Sequence, residues 1–121
     1  MAQFDHEKLK VYQDAIHFVS WAEELLESLP KSLSAHNQLE RAATSIPLNL
    51  AEGNGKHTAK DRCRFFDIAR GSALESAACL DVLVAKRQIE VEKAEEGKRS
   101  LVEIVSMLVG LIRANSPDRQ V

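Results

Sequence analysis

Aromatic side chains are scarce in this chain of 121 residues, at 5% of the total against 45% hydrophobic residues overall. The apolar content is therefore carried by Ala, Leu, Val and Ile, a mix that favours closely packed helices. Five glycines and three prolines leave little turn chemistry, and no run of period-two alternation flanked by turn residues marks a strand. Only two cysteines are present; Cys63 and Cys79 lie sixteen residues apart on one expected helix, too far along its axis to bridge, and read as reduced, half-buried thiols. The longest apolar stretch, Val105 to Ile112, is interrupted by Ser106 and is too short for a bilayer. The amino terminus lacks the apolar core of a signal peptide. Strong charge of one sign is also missing: a net charge of −2 and a pI near 6.1 argue against a general polyanion binder. A single cytoplasmic all-α domain over residues 1–121, with no membrane partner, is the expectation.

What is present is helical period. Apolar spacing predicts four helices at about 6–29, 35–53, 58–87 and 91–115. Short connections between long amphipathic helices imply an antiparallel up-down-up-down four-helix bundle. Leu29-Pro30 stops the first helix, because the residue before proline is pushed out of helical geometry. Ser34 reads as the N-cap of the second and Thr58 as that of the third, with Asp61 as its capping-box partner. Pro47 lies inside the second helix and predicts a bend rather than a break, since the apolar period continues on both sides. Gly71 is read as a point of close backbone contact on the third helix, and the last few residues are expected to fray.

The most specific segment is Arg41 to Gly53. Leu39, Ala43, Ile46 and Leu50 form an apolar line, and Arg41, Ser45, Asn49 and Glu52 form a polar line beside it. A solvated face would carry interchangeable Lys and Glu, whereas a cation, a hydroxyl, an amide and a carboxylate satisfy one another. The stripe therefore reads as a polar network, either buried or at a subunit seam. Ser72 and Glu75 extend it on the third helix. An antiparallel turn near Lys56 brings Arg41 opposite residues 71–75, so Arg41 and Glu75 are the expected ion pair.

Reaction chemistry is not advertised. Gly53-Asn54-Gly55-Lys56-His57-Thr58 fails as a phosphate loop, because Leu50 and His57 occupy the first Gly and the Ser/Thr positions and a helix precedes it; it reads as a glycine C-cap and interhelical turn. His6, His17, His36 and His57 lack metal-ligand spacing. Glu52 and Glu75 have no evident substrate cleft. No enzyme activity, metal or cofactor is expected.

Charge is uneven along the chain: residues 31–70 hold seven basic and four acidic side chains, while residues 1–30 hold two and six. Lys56, His57, Lys60, Arg62, Arg64 and Arg70, beside Phe65 and Phe66, are the residues that would contact a nucleic-acid strand through phosphates and stacking. A salt-bridged solvated surface is the alternative, since Lys60 and Arg64 share a face with Asp67.

The run from Gln38 to Gly53, with Phe65-Phe66-Asp67-Ile68-Ala69-Arg70-Gly71-Ser72-Ala73-Leu74-Glu75, strongly resembles a known family. It is similar to the bacterial four-helix bundle proteins encoded in intervening sequences of 23S ribosomal RNA genes, a superfamily that includes the accessory variability determinant of diversity-generating retroelements. The resemblance implies a four-helix bundle assembled as a ring-like homopentamer, with no established enzyme activity. In the retroelement branch it implies binding to a reverse transcriptase and to nucleic acid. Two expectations result: an oligomeric interaction scaffold that engages a protein partner, and alternatively an RNA- or DNA-binding accessory protein.

Overall fold

A computed structural model describes residues 3–121; residues 1 and 2, the start of the expected domain, lie outside it. Four helices form the fold: α1 (Lys10–Glu27), α2 (Ser34–Asn54), α3 (Ala59–Ala85) and α4 (Val91–Asn115). No strand occurs among the described residues. Each helix packs against its neighbours in sequence and α1 closes onto α4, whereas α1 does not meet α3 and α2 does not meet α4. The cross-section is thus a square, with an up-down-up-down course.

The core is aliphatic around two phenylalanines. Phe18 and Phe66 are buried together with Leu39, Ile46, Leu50, Leu80, Leu83, Leu101, Ile104, Leu108 and Ile112. All four residues of the apolar line on α2 are in it. α2 runs through Pro47 without interruption, and the ring itself is buried.

Boundaries depart from the sequence reading where local bonds override period. Residues 5–8 form a 3₁₀ turn and Leu9 is extended, so α1 begins at Lys10. The amide of Gln13 donates to the Glu7 carbonyl at 2.9 Å and holds that turn against the helix start. Ser34 does not cap α2: Leu33 occupies the N-cap and Ser34 is already helical. Thr58 does cap α3, its hydroxyl accepting from the Asp61 N–H at 3.1 Å. Gly53 lies inside α2, and Gly55 ends it with right-handed geometry.

α3 closes in a Schellman turn built without glycine. The Gln88 N–H donates to the Leu83 carbonyl and the Arg87 N–H to that of Val84, each at 2.9 Å, with Arg87 left-handed at φ 59°. The carboxyl-terminal segment does not simply fray. Arg119 pairs with Asp67 of α3, and Val121 packs against the core.

Close helix approach occurs at Gly53 and Gly97, not at Gly71. A Cβ on Gly53 would meet the Phe66 ring at 2.8 Å, and one on Gly97 would overlap the Trp21 indole, with Leu80 at 2.9 Å. Gly71 has nothing within 4 Å.

Candidate assembly and interaction surfaces

The polar stripe divides into a joined half and a solvated half. Where α2 crosses α3, the Ser72 hydroxyl donates to Ser45 Oγ at 2.8 Å, and the Asn49 amide donates to Ser45 Oγ and to its carbonyl at 2.9 Å. Ser76, fully buried, returns its hydroxyl to the Ser72 carbonyl at 2.9 Å. Short side chains let the two backbones approach, and Ser45 Oγ accepts from both Ser72 and Asn49. Longer chains are left outside: Arg41, Glu52 and Glu75 are exposed. The expected Arg41–Glu75 pair is absent from the ion pairs within 4.0 Å among the described residues. Glu52 instead lies 3.5 Å from Lys56, one turn along.

The basic residues do not act as one patch. Lys56 and Arg64 lie over the Phe65 ring, at 5.1 and 5.0 Å from its centroid, making an accessible cation–aromatic cluster at the α2–α3 turn. Lys60 and His57 are exposed nearby. Arg62 is drawn inward. Its Nη1 donates to the Asn54 carbonyl at 2.7 Å and its Nε to Asn115 Oδ1 at 3.0 Å, so one guanidinium ties α2 and α4 to α3. Arg62 is therefore held as a structural clamp among three helices. Arg70, almost two turns beyond Arg64, is half-buried, with its Nε away from water and unpartnered. Lys60, Arg64 and Arg119 line a cleft of about 680 Å³ between the start of α3 and the end of α4, which also holds Asp61 and Asp67.

The sequence reading missed an apolar feature of the surface. An open groove of about 450 Å³ runs between α3 and α4, floored by Ala73, Leu74, Ala77, Leu101, Val102, Val105 and Val109, with Lys98 and Arg113 on its rim. Leu74 is 53% and Val102 66% exposed, high for large aliphatic groups. The signal was available: Val102, Val105 and Val109 make a second apolar line on α4 beside Leu101, Ile104 and Leu108, a stripe wider than one interface requires. Leu48, 62% exposed, stands alone between Arg41 and Glu52 on the outer face of α2.

Burial raises the Cys79 thiol above its ordinary value, and the negative charge of Glu75 adds to the shift. Both cysteines are buried and unpaired, with the Cys63 thiol directed at the Ile112 carbonyl at 3.8 Å. No helix among the described residues is long and apolar enough to cross a membrane.

Comparison with known proteins follows the same lines. A family model described as 23S rRNA-intervening sequence protein matches residues 7–110. Among solved structures, the chain is similar to a protein of unknown function from the S23 ribosomal protein family of Bacteroides thetaiotaomicron. The two are 24% identical, the match covers 85% of this chain and 98% of that one, and the TM-score is 0.80, a likeness of fold. No curated protein matches the chain.

Proposed function

Because the chain belongs to the 23S rRNA-intervening sequence protein family, we propose that it is a non-enzymatic, self-assembling helical scaffold whose multiplied surface engages a protein partner. One observation carries this reading: the open apolar groove between α3 and α4, an unusual cost for a bundle that works alone. Its floor is mostly Ala, Leu and Val, with Ser106, Lys98 and Arg113 as the polar groups of the lining. The joined Ser45, Asn49 and Ser72 tie α2 to α3, one of the two helices that wall the groove. Two buried thiols suit a reducing cytoplasm.

Light-scattering mass on the purified protein, recorded with the ratio of absorbance at nucleic-acid and protein wavelengths, tests the proposal. A nucleic-acid-free species of several chains is expected, and the family resemblance implies five. A monomer at all concentrations overturns the reading. The cluster of Lys56 and Arg64 on Phe65 favours a second reading, an RNA- or DNA-binding accessory protein in which Lys60 and His57 assist. Under that reading nucleic acid co-purifies and is released by salt, binding falling by about one log unit per log salt for each displaced counterion.

A further inference from the structure

The α3/α4 groove has a counterpart on the same chain. Its lining brings two cations, Arg113 and Lys98, the latter paired with Asp81 of α3 at 2.8 Å, and no carboxylate of its own to an apolar floor of Leu74, Val102, Val105 and Val109. The outer surface of α1 is the reverse: Ile16, 42% exposed, and Val19 continue into Glu23, Glu24 and Glu27, with no cation. We infer that the outer face of α1 in one copy docks in the α3/α4 groove of the next, a head-to-tail contact. This inference rests on the self-assembly reading and specifies its seam.

Charge selects the pairing. Groove on groove would set cations against cations, and α1 on α1 would set glutamates against glutamates, whereas the crossed arrangement joins opposite signs over a shared apolar centre. The outer face of α2 is a poorer occupant, because Leu48 stands there between Arg41 and Glu52 and carries no net sign. Lengths also agree. Lys98 and Arg113 are fifteen residues apart, about 22 Å along α4, and Ile16 to Glu27 covers about 16 Å of α1. The Trp21 indole donates to Glu96 at 2.8 Å, which sets the glutamate end of α1 at the Lys98 end of the bundle. With neighbouring bundles side by side and parallel, the glutamates face the end of the neighbouring groove that holds Lys98 and its partner Asp81. Two different patches on one chain generate a ring or a filament, not a two-fold dimer.

The test uses one variant for each face: Ile16→Asp for α1 and Val102→Asp for the groove. Both positions are exposed, and unchanged helical circular dichroism verifies folding. Each variant alone is expected to be monomeric by light scattering. Mixed in equal amounts they are expected to form a species of two chains and no larger, because each supplies the one intact face the other needs. A second variant, Glu24→Lys with Glu27→Lys, is expected to weaken assembly at least about tenfold at low salt, with the difference shrinking as salt rises. If the wild type is an oligomer but either aspartate variant keeps its full mass, or the mixture stays monomeric, this docking is overturned and the scaffold reading stands. A monomeric wild type overturns both.

Discussion

Gly97 and Gly71 both lie within helices, yet they respond to a methyl group in opposite ways. At Gly97 the added carbon overlaps the Trp21 indole, so Gly97→Ala is expected to lower stability by about 1–3 kcal/mol through overpacking. At Gly71 the methyl points into open space, and Gly71→Ala is expected to add roughly 0.5–1 kcal/mol from helix propensity. Chemical denaturation of the two variants beside the wild type measures both signs. Arg87 occupies the left-handed position of the Schellman turn, where its Cβ crowds the backbone. Arg87→Gly is expected to raise stability by up to about 1 kcal/mol in the same assay. Cys79 carries a pH dependence. Its folded thiol ionises at higher pH than the unfolded one, so the contribution is complete below the unfolded value and is lost as pH rises beyond about 8.5. Stability measured across the alkaline range should fall less steeply in Cys79→Ala than in the wild type.

At the scale of the element, the capping oxygen of Thr58 and the clamp of Arg62 fix the start of α3. Thr58→Ala is expected to cost about 1 kcal/mol. Arg62→Ala frees the Asn54 carbonyl and the Asn115 amide oxygen together and is expected to cost more, about 2 kcal/mol or above; thermal melts order the two. The Thr58 cap was legible in the sequence because it depends on residues three positions apart. So were the four helices, which follow from period; the sequence placed Ser45, Asn49 and Ser72 in one polar group but named Arg41 with Glu75 as the contact across the helices. The Arg62 clamp was not legible, since its acceptors lie on two other helices, α2 and α4, and a basic side chain near phenylalanines looks the same whether it faces solvent or turns inward. The Schellman turn was hidden because arginine stands where glycine is the usual sign. Arg41 and Glu75 were paired by register alone, which does not register that short serines bring the helices together and leave longer side chains in water.

For the whole molecule, the square arrangement of helices leaves four outer faces of different character. Contact between copies across apolar surface should survive moderate salt, whereas the Lys56, Phe65 and Arg64 cluster would hold a phosphate strand only at low ionic strength. Mass and absorbance ratio followed through a salt series therefore separate the two uses of the surface. The closing contact of α1 on α4 also sets an order in time. Every other helix pair joins neighbours in sequence and forms as its hairpin forms, but Trp21 must wait for Gly97, far along the chain, before its pocket exists. The molecule's sole tryptophan is therefore expected to report the last contact to form in folding. Gly97→Ala, measured by stopped-flow fluorescence, should quicken unfolding while leaving the refolding rate almost untouched.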